Sequence, residues 1–128
     1  MYKTQREEEI FNKLYDAVIR AGLIEGVHSI FGAKARMRLE FTRKVCETNI
    51  DVIDLSVRAF NALKRNGVNT LGEAVDAIND GTLASFRNLG AKSLKEIKVK
   101  IINYGYDVLS DKEKQLFLMN IVEINTKG

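Results

Sequence analysis

The stretch Arg87-Asn88-Leu89-Gly90-Ala91-Lys92-Ser93 holds the residue types best suited to chemistry in this protein, and that chemistry is anion binding. A glycine beside a helix start lets backbone approach a ligand closely. The first amides of a helix lack intrahelical partners and carry partial positive charge. Together these features form a site suited to a DNA phosphate. Lys92 adds a cation at the helix start and Ser93 a hydroxyl. The same residues also suit an ordinary helix–helix connection, and the stretch by itself leaves both readings open. Other chemistries lack their parts. The sequence has no glycine-rich phosphate loop followed by Lys-Ser/Thr, no paired zinc-ligand motif and no nucleophile elbow. His28 is the sole histidine, which leaves little room for Ser–His or Cys–His catalysis. His28 and Cys46 cannot make a structural zinc site without several carboxylates. Asp51 and Asp54 are not distinguishable from solvated charges. The expectation is a non-enzyme with no cofactor and no metal.

The hairpin needs elements to hold it. A helix is predicted from about Lys92 to Asn103, with Leu94, Ile97 and Ile101 as its buried stripe and Tyr104-Gly105-Tyr106 as its end. Upstream, Ser56 suits the N-cap of a helix from Val57 to Asn66, and Gly67 supplies a left-handed stop. Val57, Phe60 and Leu63 are expected to face the core. Thr70 caps a second short helix, Leu71 to about Ile78, with Glu73 completing a capping box. Asn79-Asp80-Gly81 reads as a turn, and Thr82 starts a third short helix ending near Phe86. Ile50 to Leu55 forms a lead-in arm.

The flanks are helical too. Thr4 to Glu7 reads as a capping box for a helix from about Gln5 to Ala21, with Ile10, Leu14, Val18 and Ile19 at helical spacing and Gly22 as its stop. Glu7, Glu8 and Glu9 give it a favourable acidic first turn. Ala33 to Cys46 again fits a helix, with Met37, Phe41 and Val45 four apart. Lys34, Arg36, Arg38, Arg43 and Lys44 crowd this segment, as a solvated face or as an extra phosphate-contacting surface. Ser110 caps a last helix from Asp111 to about Ile124, with Leu116, Met119 and Val122 at helical spacing. No stretch alternates as a strand would, and proline is absent. The predicted fold is all-α: a compact bundle of short helices with a helix-hairpin-helix-like element, plus N- and C-terminal flanking helices.

Totals bound the function classes. A sequence of 128 residues is one domain in size and buries roughly two-thirds of its unfolded surface, so it needs no disulfide or metal to fold. Cys46 is the sole cysteine, which excludes an intrachain disulfide and fits a reducing, cytoplasmic setting. The apolar runs are too short to span a membrane, and the polar opening MYKTQREEEI lacks the character of a secretory signal. Net charge is +3 and spread along the sequence, so a nucleic-acid reading must rest on local placement.

Two motifs, LSVRAFNALKRNGVNTLGE and RNLGAKSLKEIK, carry a resemblance that shifts the reading of the hairpin towards DNA. They lie in the run IDVIDLSVRAFNALKRNGVNTLGEAVDAINDGTLASFRNLGAKSLKEIKVKIINYGY, which resembles the C-terminal domain of the bacterial RNA polymerase alpha subunit. The resemblance divides the protein into an N-terminal helical extension (1–50), a DNA-binding module (51–106) and a C-terminal helix (107–128). It implies docking on the minor groove of A/T-rich promoter DNA. Arg58 would enter the groove, with Asn61 one turn later holding sugar and phosphate. Asn88, Gly90, Lys92 and Ser93 would grip the backbone, and Glu96 would orient the arginine or its neighbours. Asp54 falls where the family presents an acidic contact to sigma factor. An arginine suits a narrow A/T-rich groove, where negative potential is enhanced. Readout there is degenerate, A·T against G·C.

The sequence departs from the family in places. Ala62 stands where cysteine is common, and the loop before Asn88 is one residue longer than in some members. Residues 1–50 do not resemble the alpha assembly domain, so the resemblance points to a stand-alone relative, phage-borne or accessory to the polymerase. Double-stranded DNA is the expected partner, with polymerase, sigma factor or activators beside it. Two alternatives are a protein-interaction adaptor of the transcription machinery without DNA binding, and a helix-hairpin-helix accessory of DNA repair or replication. An internal echo relates Tyr15–Leu23 to Phe60–Val68 and Phe31–Lys34 to Leu89–Lys92. It admits a degenerate second hairpin unit or a coincidence of amphipathic helices.

Overall fold

The computed structural model describes residues 4–127. Met1 to Lys3, part of the opening read as lacking a leader, and Gly128 lie outside it. Among the described residues there are seven α-helices and no strand: α1 (Gln5–Ala21), α2 (Leu23–Phe31), α3 (Arg43–Glu47), α4 (Val57–Arg65), α5 (Leu71–Asn79), α6 (Ala91–Asp107) and α7 (Asp111–Thr126). Two short 3-10 turns, Ile50–Ile53 and Thr82–Ser85, join them. The all-α expectation is met. The protein forms two compact units, one of residues 1–38 with 106–128 and one of residues 39–105.

In the first unit α1 packs against α2 and α7. Thr4 caps α1 by accepting from the Glu7 amide at 3.1 Å. Gly22, at φ 89°, ends α1 and opens α2 directly. Gly26 permits the close crossing: a Cβ there would lie 2.8 Å from the Val18 amide nitrogen. Phe11, Leu14, Leu23, Val27, Leu118 and Val122 are buried. Tyr106 meets Phe117 edge-on at 5.9 Å, and burial pushes its phenol up to about 12.

The second unit carries the hairpin. Its helix starts follow from local chemistry. Thr42, Ser56 and Thr70 cap α3, α4 and α5 with their side-chain oxygens, and Glu73 closes the capping box on α5. Asn66 caps the end of α4, and Gly67, at φ 79°, turns the backbone away after it. α3 packs on α5, where a Cβ on Gly72 would lie 2.8 Å from the Cys46 Cβ. Leu63, Leu71, Leu83, Ile97 and Ile101 are almost wholly covered.

The unit begins at Leu39, twelve residues before the start that the sequence suggested. The reason is bonding. The Asn79 side-chain Nδ2 donates to the Leu39 carbonyl at 3.0 Å. The Ile50 amide donates to the Asn69 carbonyl, and the Leu71 amide to the Thr48 carbonyl. The Phe41 ring rests on the backbone of Gly105. Leu39, Val45 and Ile50 are buried.

Several local expectations are corrected. Residues 35–42 are not helical; the predicted helix shrinks to α3. Met37, Phe41 and Val45 are four apart, but Met37, Leu39 and Phe41 are also two apart, and the second period wins. Lys34, Arg36, Arg38 and Glu40 are exposed, while Ala35, Met37, Leu39 and Phe41 between them are covered to varying degree. α2 was not foreseen, because Gly22 read only as a stop; Gly26, inside α2, permits the crossing with α1. Val57 is 76% exposed and does not face the core. Leu116 is exposed on α7, and Leu118, Ile121 and Val122 carry its burial. α6 runs through Tyr104-Gly105-Tyr106 to Asp107. The echo at Phe31–Lys34 is not conformational: Gly32, at φ 90°, leads into a turn, whereas Gly90 leads into a helix.

Candidate nucleic-acid interface

Two helix starts build the site, and one carboxylate joins them. Ser56 caps α4, its Oγ accepting from the Ala59 amide at 3.2 Å. The Ser56 amide donates to Glu96 Oε2 at 2.6 Å, and the Ser56 hydroxyl donates to Glu96 Oε1 at 2.8 Å. Glu96 lies in the second turn of α6, four residues after Lys92. One side chain thereby fixes the start of α4 to the start of α6. The amide of Ser56, then its hydroxyl and then the ammonium of Lys100 hold the Glu96 carboxyl below its ordinary value, against some desolvation. Lys100, one turn further on, lies 3.5 Å from Glu96 and also donates to the Asp54 carbonyl. Asp54 is left-handed at φ 50°, a conformation tolerated by aspartate, so Lys100 pins the bend that leads into α4.

On α4, Arg58 and Asn61 are three apart, share a face and are exposed. No hydrogen bond or ion pair holds the Arg58 guanidinium among the described residues. The hairpin is tightened by the Leu89 amide donating to the Phe86 carbonyl at 3.3 Å. Asn88, not glycine, takes its left-handed position at φ 63°. Gly90 is exposed, and a Cβ there would meet nothing within 4 Å. Its φ is also outside the left-handed region, so nothing inside the protein requires glycine at this point. The Leu94 amide donates to the Gly90 carbonyl at 2.9 Å, which is the first bond of α6. The amides of Ala91, Lys92 and Ser93 make no hydrogen bond among the described residues. A helix of 17 residues thus starts in open solvent with free donors and an exposed Lys92.

The residues singled out in the sequence fall as follows. Arg58, Asn61, Asn88, Gly90 and Lys92 are exposed. Ser93 is 7% exposed and sits in the packed side of α6. Both Glu96 oxygens are engaged by Ser56, which makes it a positioning group for α4. The Asp54 side chain is exposed. Ser56 and Lys100 were missed as members of the site. Ser56 was legible as a cap, but its partner lies 40 residues away, and no local pattern marks such a pair. No group of three or more His, Cys, Asp or Glu that could hold a metal exists among the described residues. None of the described helices is long and apolar enough to cross a membrane.

The fold and site define a class: a small all-α module whose open helix start and neighbouring arginine face are suited to a phosphate backbone. Residues 39–103, half of the protein, match the family of C-terminal domains of the bacterial RNA polymerase alpha subunit, and the protein belongs to that family. The module so defined is non-catalytic. Among curated proteins, the DNA-directed RNA polymerase subunit alpha of Symbiobacterium thermophilum is 47% identical over 62 residues. That alignment covers 48% of the present sequence and 19% of the relative. No solved structure matches the protein.

Proposed function

We propose that this protein is a transcription-associated DNA-binding protein that docks the second unit on the minor groove of A/T-rich promoter duplexes. The observation that carries the reading is the open start of α6. Gly90 has no internal reason to be glycine, and three unbonded amides follow it beside Lys92. That arrangement lets a phosphate oxygen approach the backbone. Arg58, without a partner among the described residues, enters the groove, and Asn61 contacts sugar and phosphate one turn later. Asn88 sets the hairpin that presents Gly90, and the Ser93 amide adds to the anion site. Glu96 positions Arg58 through Ser56. Asp54, exposed at a bend held by Lys100, offers a carboxylate to a basic surface of sigma factor, the polymerase or an activator.

The test is fluorescence anisotropy with A/T-rich and G/C-rich duplexes. Wild type binds the A/T-rich duplex more tightly. Arg58→Ala weakens that binding by about 10- to 100-fold and erases the preference. Equal affinity of wild type for both duplexes would refute the minor-groove reading.

A further inference from the structure

We infer that Lys34 and Arg36, in the first unit, form a second contact to the phosphate backbone of duplex DNA, separate from the helix starts of the second unit. The inference rests on the proposed DNA binding but not on its groove or composition preference.

Charge placement is the first argument. Outside residues 34–38 the first unit carries seven basic and nine acidic residues. Residues 34–38 carry three basic residues and no acidic one. Outside these five positions the net charge of the unit is −2, and within them it is +3.

Order is the second argument. Lys34 stands on a turn closed by the Ala35 amide donating to the Gly32 carbonyl at 3.2 Å. Beyond it the backbone is neither helical nor paired as a strand, and Arg36 is fixed there by a single side chain. The Arg36 amide donates to Asn125 Oδ1 at 2.9 Å, and Asn125 Nδ2 donates back to the Arg36 carbonyl at 2.9 Å. Asn125 Nδ2 also donates to the Ile121 carbonyl at 2.8 Å, which seats the amide on α7. One asparagine thus imitates a neighbouring strand and holds both backbone groups of Arg36. Neither the Lys34 ammonium nor the Arg36 guanidinium has a partner among the described residues. A basic loop serving only solubility has no need of such a clamp, whereas a pre-ordered cation loses less entropy when it binds.

The ligand chemistry follows. The covered residues of this run, Ala35 and Met37, turn inward, so the segment offers charge without an apolar edge for a membrane. A regular polyanion accepts this charge without demanding side-chain pockets, and duplex DNA is the one consistent with the second unit.

The experiment measures the full-length protein against a duplex over a fourfold salt range, for wild type, Lys34→Ala/Arg36→Ala, Asn125→Ala and the control Arg20→Ala. Each neutralised phosphate contributes about 0.9 to the log–log salt slope. Loss of two contacts lowers the slope by about 1.8, so wild-type affinity falls about 12-fold further than that of the double variant over this range. Asn125→Ala retains both cations and binds several-fold more weakly, with its helical circular dichroism unchanged. Arg20→Ala, whose arginine is paired with Asp16 at 3.2 Å, behaves as wild type. A wild-type slope in the double variant overturns the inference, and so does an equal slope loss in Arg20→Ala. The arms separate from the preceding proposal. An altered slope without A/T preference removes the minor-groove reading and leaves this one. Intact preference with an unaltered slope does the reverse. Absence of any duplex binding removes both.

Discussion

Replacing Glu96 tests whether one carboxylate joins the two helix starts. Its side chain is 20% exposed and accepts two hydrogen bonds from Ser56, at 2.6 and 2.8 Å. Charge-assisted bonds contribute about 1.5–3 kcal/mol each when sheltered. Solvent access and the exposed position of Ser56 reduce the pair to about 1–2 kcal/mol in total. Glu96→Ala should therefore lower Tm by roughly 4–8 °C at neutral pH. Glu96→Gln retains one acceptor and should lose about half as much. The sign of the pH dependence follows from the lowered carboxyl of Glu96. Its contribution is fully present above the ordinary value of 4.5 and disappears as pH falls through the folded value below it. Other carboxylates are also held below their ordinary values, Glu73, Asp80 and Glu113 among them, but they are common to both proteins and cancel in the difference. Urea melts of wild type and Glu96→Gln should diverge at pH 7 and converge towards pH 3. A difference that is the same at both pH values would refute the reasoning, because the bonds would then not depend on the charged carboxylate.

Glycine substitutions should separate function from packing. Gly90→Ala meets no neighbour and should leave thermal stability within about 1 kcal/mol while weakening duplex binding, checked by melting and anisotropy on the same sample. Gly26→Ala places a Cβ 2.8 Å from the Val18 backbone and should cost about 1–3 kcal/mol in a urea melt. Leu63→Ala removes a side chain with no exposure and should cost about 2–5 kcal/mol by the same measurement.

The caps and stops were legible in the sequence because they are local. Ser56, Thr70, Ser110, Gly22 and Gly67 act within a turn of themselves, and the helices that they bound follow. What was not legible depends on partners far along the sequence. Residues 35–42 read as helical because Met37, Phe41 and Val45 are four apart, and the alternation that won over that spacing goes with distant partners, Asn79 and Asn125, which take backbone groups of Leu39 and Arg36. α2 was hidden behind Gly22, which read as a stop, and its own Gly26 serves a helix crossing. In the candidate site, residues on exposed helix positions could be named from the resemblance, but the bond from Glu96 to Ser56 could not. Nor could the burial of Ser93, since a serine in the first turn of a helix reads the same on either face.

Amide chemical-shift mapping on addition of an A/T-rich duplex tests the central claim most directly. The largest shifts are expected at the first turn of α4, around Arg58 and Asn61, and at Asn88 to Ser93, with these shifts lost in Arg58→Ala. A duplex that binds while those amides stay unmoved would contradict it.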